Sequence, residues 1–513
     1  MNIYHGTFAC SVLSSPDAPA LCVQGSTLSY RELERWVNGC RMALRDCGVQ
    51  TGDPVAVLAS RSLTAYVAIL ACAAEGFTWV PLNPAFPEAR NLRMLTLSGA
   101  RVLVAGREAA DQCQCLVENA NLPAVLALDD GVPDARLLQP ADQAQPLAEF
   151  AAELPAYLLF TSGTTGVPKG IPVSVGNLHA YLRNFQALYP MPAGLRYSQM
   201  FDLTFDLSVH DLFVCWQQGG CLVIPTAQDL LMPLQFVRRQ QIQVWFSVPS
   251  MASIAKQSGL LRPGVLPSLQ FAFFCGEALP TASALAWLDA APNARVANLY
   301  GPTEATIAIT AFELQRDRDD WRQLSVVPIG WPYPGQQARV VRDDATLAAP
   351  GESGELWLAG TQLTAGYLAD AAKTAAVFVQ QQFTDCTETR WYRTGDCATL
   401  HPDFGLLYTG RLDRQVKING YRVELQEVEH CLRQVAGTQL AAVVPWPRSA
   451  DGLFTGVVGF VVQPWLPEEQ VLAQLTTTLP TYMQPRQILT LERLPVNANG
   501  KVDYGALQAL LAP

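Results

Sequence analysis

Charge is scarce in this chain of 513 residues: only 16% are Asp, Glu, Lys or Arg, and 35 basic against 45 acidic residues give a formal net charge of −10. No run of Lys or Arg stands out, which excludes a broad nucleic-acid footprint and leaves room only for a local nucleotide site. Cysteine pairing signals are also missing. Thirteen cysteines are scattered from Cys10 to Cys431 without a C-x-x-C pair, as suits free thiols in a reducing cytosol. The closest two, Cys113 and Cys115, have no clustered His or Cys at ligand spacing, so they are expected to be ordinary thiols and not metal ligands. The opening MNIYHGTFACSVLSSPDAPA lacks the basic and long apolar regions of an export signal, and the apolar stretch from Tyr66 to Ala74 is too short to cross a bilayer. These absences predict a cytoplasmic protein with no membrane and no nucleic-acid partner.

What is present is half hydrophobic, over a length several times the usual single domain, so at least one large core and several subdomains are expected. LSYRELERWVNGCRMALRDCGV has apolar residues at helical spacing and ends near Gly48. After it GDPVAVLAS, FTWVPLN and RVLVAG read as strands, alternating with helices in LTAYVAILACAAEG and ARNLRMLTLSGA, the βαβ rhythm of a parallel sheet. The rhythm returns after Leu154, with strands at AYLLFTS, GCLVIP, VWFSVP, LQFAFFCG and ARVANLYG, so two parallel-sheet lobes are expected. From about Val326 short strands and Gly/Pro turns favour an antiparallel or barrel-like piece, and the tail after Gly410 reads as a small α+β domain.

The most informative stretch runs from Leu159 to Gly170, LFTSGTTGVPKG, directly after an apolar strand. Its glycines, Gly163 among them, let backbone approach an oxyanion. Thr161, Ser162, Thr164 and Thr165 offer hydroxyl donors, and Lys169 adds positive charge. The spacing is neither the G-x-x-x-x-G-K-[ST] of a Walker loop nor the Rossmann G-x-G-x-x-G. A P-loop kinase or NTPase is therefore disfavoured. LFTSGTTGVPKG, NLYGPTEATI, YRTGD, GRLDRQVKINGYRVELQEVE and NANGK occur in an order and spacing that resemble the acyl-adenylate-forming superfamily, nearest to non-ribosomal peptide synthetase adenylation domains. GDPVAVLASRSLTAYVAILACAAEGFTWVPLNPAFP is similar to that group's N-terminal segment, so the resemblance covers nearly the whole chain.

The resemblance implies an α/β fold: a large N-terminal core, residues 1–410, of two α/β sheet subdomains plus a distorted β-barrel, then a small mobile α+β lid, 411–513. It implies activation of a carboxylic acid by ATP as its acyl-AMP, release of pyrophosphate, and transfer of the acyl group to a thiol. Joining a carboxylate to the α-phosphorus needs two anions screened from one another, hence cations and Mg²⁺. By resemblance, Glu304 would hold the Mg²⁺, Thr303 a phosphate oxygen, and Tyr300, beside Gly301, would stack on adenine. A plain Gly/Pro turn, with Glu304 opening a helix, is the competing reading. Asp396 would accept both ribose hydroxyls, Arg411 would face the nucleotide, and Asp413 matches the hinge between the two half-reactions. Lys501 would bridge the bound carboxylate and the α-phosphate, while Lys417 and Gly420 would line the thiol's approach.

MFDLTFDLSVHDLF contains Asp206, which matches the aspartate that pairs with the α-ammonium in amino-acid-activating members; a buried carboxylate needs such a partner. Asp202 is a register alternative, and either could instead cap a helix. Carried over by position, the pocket lining is Leu207, His210, Ser247, Phe273, Cys275, Leu299, Ile307 and Ala308, mainly apolar and without a second charge. That favours a neutral amino acid of small to medium size, with proline, serine, threonine and cysteine all open. No carrier motif of the LGGxS kind follows Lys501, so the expected acceptor is a separate carrier protein bearing phosphopantetheine, ahead of coenzyme A. An acyl- or aryl-CoA synthetase of the same superfamily and a catalytically silent binding member are the alternatives.

Overall fold

The computed structural model describes residues 1–120, 122–143, 146–163, 168–383, 389–497 and 501–511. The chain divides into two compact units. The first comprises Met1–Pro84, Leu95–Leu159 and Gly170–Leu412, and the second Ala85–Met94, Phe160–Lys169 and Asp413–Pro513.

In the first unit the expected βαβ rhythm builds two large sheets. Pro54–Leu58 lies between Thr78–Leu82 and Val102–Ala105, all parallel, in a seven-stranded sheet that continues to Pro155–Thr161 and Lys169–Ser174. A nine-stranded sheet has parallel strands at its centre, among them Val244–Ser247, Phe271–Phe274 and Arg295–Tyr300. It turns antiparallel where Thr310–Glu313 and Ser26–Ser29 join its ends. Parallel strands are covered on both faces, which is why they read as continuous apolar runs. The helix Leu63–Glu75 is buried at every residue but Leu63, and one apolar core joins its side chains to those of both sheets. Tyr30–Asp46 starts where Ser29 and Glu32 form a reciprocal capping box.

The change of texture after Val326 corresponds to a five-stranded antiparallel sheet. Gln336–Val341 and Ser353–Gly360 pair in it, and the long strand Thr389–His401 receives Phe378–Gln381 and Gly405–Arg411. Its register sets Asp396 opposite Arg411.

The second unit contains the hairpin Gln415–Ile418 and Tyr421–Glu424, closed by Asn419 (φ 50°) and Gly420 (φ 84°), the left-handed pair that a tight two-residue turn requires. The helix Leu425–Ala436 follows, packed with the three-stranded sheet Ala441–Pro445, Val457–Val462 and Gln487–Leu491 around Val428, Leu432, Val443 and Val461.

Candidate active site

The strand Arg295–Tyr300 delivers Tyr300 to the end of the nine-stranded sheet, and the chain then doubles back on itself. Ile309 N–H donates to the Tyr300 carbonyl at 2.8 Å. A Cβ on Gly301 would lie 2.6 Å from Ala308 Cα, so no other residue fits there without moving backbone. Within the turn, Thr306 and Ile307 have φ of 57° and 70°. Both are β-branched, for which left-handed backbone costs on the order of 1–3 kcal/mol per residue and marks a functional constraint. Thr303 begins the short helical turn Thr303–Ala305, where Glu304 is wholly buried and accepts a 2.9 Å hydrogen bond from the Tyr367 hydroxyl.

One hydrogen-bonded group gathers Tyr300, Asp396 and Arg411. The Tyr300 hydroxyl donates to one Asp396 oxygen at 2.5 Å and the Arg411 guanidinium reaches the other at 2.5 Å. Thr394 Oγ1 accepts from Asp396 N–H at 2.9 Å. Burial, then the charge of Asp396, pushes the Tyr300 phenol well above its ordinary pKa, so it remains a donor. A carboxylate held on both oxygens by charge-assisted bonds is fixed in orientation.

Of the two aspartates in register, Asp206 faces the strained turn: its carboxylate accepts the Ile307 N–H at 3.2 Å and is 6% exposed. It opens the helix Asp206–Gln217 inside Phe205, which occupies the cap, so it is not the cap itself. Asp202 instead accepts from Thr204 N–H at 2.9 Å and from the Thr204 hydroxyl at 2.6 Å, a local turn. His210 lies one helical turn after Asp206, on the same face. Its Nδ1 shares a 2.6 Å hydrogen bond with the Tyr181 hydroxyl, and its ring sits 4.3 Å from Phe246 and 4.6 Å from Phe185. Burial lowers the His210 pKa to about 3, which keeps the ring neutral. Phe273 packs edge-on against Phe185 and Tyr189, in the same core as Leu207, Cys275, Leu299, Ile307 and Ala308. The Ser247 hydroxyl is turned to its own strand: it accepts from the Trp245 indole at 2.9 Å and donates to the Val248 carbonyl at 3.3 Å.

In the second unit, Ser162 Oγ donates to the Arg422 carbonyl at 3.0 Å, and Gly163 N–H donates to the Glu427 carboxylate at 3.0 Å. Lys169 pairs with Glu424 at 3.4 Å, while Arg90 pairs with Glu427 at 2.8 Å. The Thr161 hydroxyl is buried without a hydrogen-bond partner. Ser162, Gly163 and Lys169 thus hold carbonyl and carboxylate oxygens at the groups for which the sequence suggests phosphate. Thr164 and Thr165 lie outside the described residues. Lys501 is exposed, with its N–H on Asn497 Oδ1 at 3.1 Å. Asp413 accepts from Gln415 N–H at 3.1 Å, Lys417 is exposed, and Gly420 is buried in the hairpin turn.

Comparison with known proteins matches residues 8–368 to the AMP-binding enzyme family and residues 427–501 to the AMP-binding enzyme C-terminal domain. The chain belongs to the AMP-binding enzyme family. It is 30% identical to the D-alanine--D-alanyl carrier protein ligase of Bacillus licheniformis over 512 residues, covering 96% of this chain and 97% of that protein. It is 32% identical to a plipastatin synthase polypeptide of Bacillus subtilis over 500 residues, 96% of this chain but 13% of that much longer protein. The crystal structure of the Vibrio cholerae adenylation domain AlmE, in complex with glycyl-adenosine-5'-phosphate, superposes with a TM-score of 0.89 at 32% identity, over 99% of this chain and 97% of that one. This AMP-binding enzyme is thus an ATP-dependent, AMP-forming ligase of mixed α/β architecture.

Several residues of this AMP-binding enzyme's site were not singled out from sequence. Tyr367, which orients Glu304, stands beside Gly366 in a stretch without charge that reads as an ordinary turn. Glu427 lies inside a quoted motif, but with Glu424 and Glu429 as neighbours its spacing could not choose it. Among the described residues no cluster of three or more His, Cys, Asp or Glu side chains could hold a metal ion, and no helix is long and apolar enough to cross a membrane.

Proposed function

We propose that this AMP-binding enzyme activates a small neutral amino acid with ATP as its aminoacyl-AMP and passes it to the phosphopantetheine thiol of a separate carrier protein. The observation that carries this reading is the buried Asp206 carboxylate, held by Ile307 N–H on the turn that also bears Thr303 and Glu304. At that depth a carboxylate favours a cationic partner, and the α-ammonium of an amino acid supplies one. One helical turn further, the His210 ring packs against Phe185 and Phe246, an apolar and crowded setting that supports a neutral, short side chain. With Ser247 committed to Trp245 and Val248, its hydroxyl is not poised to recognise a polar side chain. The D-alanine ligase and the glycyl adenylate in AlmE support a substrate of this size, and the ligase supports a carrier acceptor.

Asp396 receives the ribose hydroxyls, Arg411 keeps that carboxylate aimed, and Tyr300 meets the adenine. Thr161, Ser162, Gly163, Thr164, Thr165 and Lys169 hold the phosphates, with Gly301 and Thr303 lining the α-phosphate. Because Gly163 N–H and Lys169 contact Glu427 and Glu424, phosphate binding is an exchange of one anion for another at the same donors. Mg²⁺ is usually held by one or two carboxylates plus substrate phosphates, and the oriented Glu304 suits that role. The metal supplies charge neutralisation on the phosphates. Lys501 neutralises the charge that builds between carboxylate and α-phosphorus. Asp413 acts as the hinge, a reading supported by the division of the chain between Leu412 and Asp413. Lys417 and Gly420 then serve the thiol step. The need for ATP and the free cysteines support a cytoplasmic setting.

The test is exchange of labelled pyrophosphate into ATP across glycine, both alanine enantiomers and the remaining amino acids. Exchange with glycine or an alanine, and none with the matching acids that lack the amino group, is expected. Preference for a fatty or aryl acid would overturn the reading.

A further inference from the structure

The turn that presents Ile307 N–H to Asp206 is strained, and something must hold it. Its carbonyls converge on one side chain. Gln362 is fully buried, and its amide nitrogen donates to the carbonyls of Ala308 at 2.8 Å and of Ala305 and Thr306 at 3.4 Å each. Its backbone carbonyl accepts the Thr306 hydroxyl at 2.6 Å. One residue thus grips Ala305, Thr306 and Ala308, on both sides of the two left-handed residues.

Gln362 is itself fixed by the helix Val175–Leu188. Asn184 Nδ2 donates to the Gln362 side-chain oxygen at 3.1 Å, which sets which end of the amide faces the turn. Two turns earlier, Asn177 Nδ2 donates to the carbonyls of Thr361 and Leu363 at 2.8 and 2.9 Å, clamping the backbone on either side of Gln362. Gln336 Oε1 accepts the Gln362 N–H at 3.2 Å. A buried polar network satisfied at this many points fixes a single geometry, and loosening one member releases its neighbours.

We propose that Gln362 is a positioning residue for amino-acid recognition, acting through the Thr306–Ile307 turn on the Asp206 carboxylate. It touches neither substrate nor nucleotide. Its amide holds the turn in left-handed backbone, so that Ile307 N–H points at Asp206 and Asp206 is aimed at the substrate ammonium. The inference rests on the reading of Asp206 as the ammonium receptor.

The test is Gln362→Met, which keeps length and volume but removes the donor, measured by pyrophosphate exchange with the best amino acid. The KM for the amino acid should rise about tenfold, as loss of one buried hydrogen bond implies, with the KM for ATP within about twofold of the parent. In an Asp206→Asn background the same substitution should add little, since both act on one interaction. Should Gln362→Met fail to fold, Asn184→Ala, which frees the amide without deleting it, should raise the amino-acid KM in the same direction. An unchanged amino-acid KM in a folded variant, equal rises for ATP and amino acid, or additivity with Asp206→Asn would overturn the proposal. If the parent itself supports no amino-acid-dependent exchange, the reading of Asp206 fails first, which the parent assay shows separately.

Discussion

Replacing Gly301 by alanine tests how tightly the strained turn is bound to catalysis. The added methyl would meet Ala308 Cα at 2.6 Å, Ile307 O at 2.9 Å and Ile309 N at 3.0 Å. Carbon contacts are comfortable only from about 3.5 Å, and all three obstacles are backbone, so no rotamer change relieves them; the turn must move by about 1 Å. Overpacking of this kind costs about 1–3 kcal/mol. The same shift would stretch the 3.2 Å bond from Ile307 N–H to Asp206 past hydrogen-bond range. A bond to a charged acceptor is worth about 1.5–3 kcal/mol, so kcat/KM for the amino acid in pyrophosphate exchange should fall roughly tenfold to hundredfold. The thermal midpoint should drop by a few degrees, with the enzyme still folded. A Gly301→Ala enzyme that keeps kcat/KM within about twofold of the parent would refute the claim that turn geometry sets substrate recognition.

Lys501→Ala should reduce aminoacyl-AMP formation by at least about a hundredfold while ATP affinity, measured by calorimetry, stays nearly unchanged, since the lysine acts as charge develops; near-normal exchange would remove its assignment. Asp413→Pro, by fixing one backbone torsion, should spare pyrophosphate exchange and block loading of the carrier; equal loss of both would contradict the hinge. His210 supplies a pH signature. Its folded pKa of about 3 lies below the unfolded value, so the unfolded chain binds more protons in between, and stability is complete above about pH 6.5 and is lost progressively as pH falls toward 3. Acidifying to about pH 5 should cost about 2 kcal/mol from this group alone. His210→Gln should therefore lose less stability between those values than the parent in denaturant titrations, and parallel losses would count against a buried neutral histidine.

The fold was largely legible in the sequence. The βαβ alternation around Pro54–Leu58, Leu63–Glu75 and Thr78–Leu82 is strong because strands and helices covered on both sides leave long apolar runs. Asp396 and Arg411 meet because their strands pair in one antiparallel sheet, whereas Tyr300 comes to them from the other sheet, a meeting that local sequence does not reveal. Other features were hidden for physical reasons. Thr306 to Thr310, five residues rich in β-branching, reads as extended strand; packing around Gly301 and Gln362 overrides that propensity and bends Thr306 and Ile307 left-handed. Gln362 looks like a solvated loop glutamine, since nothing local reveals three carbonyls converging on it. Ser247 could be assigned to a lining by position, but at a strand end the hydroxyl's direction is decided by Trp245, two residues back on the same face. Only five of the basic residues are lysine, and three of them, Lys169, Lys417 and Lys501, fall in the quoted motifs, while Lys256 and Lys373 do not, so it is the motif and not the scarcity that marks a lysine.

The most direct test supplies an amino acid whose carboxylate carries heavy oxygen, together with ATP and a phosphopantetheinylated carrier, and weighs the nucleotide product. Attack of that carboxylate on the α-phosphorus, followed by thiol attack on the carbonyl carbon, leaves one labelled oxygen on AMP. Labelled AMP formed in step with aminoacylated carrier is the predicted result. ADP, or AMP without the label, would contradict the account.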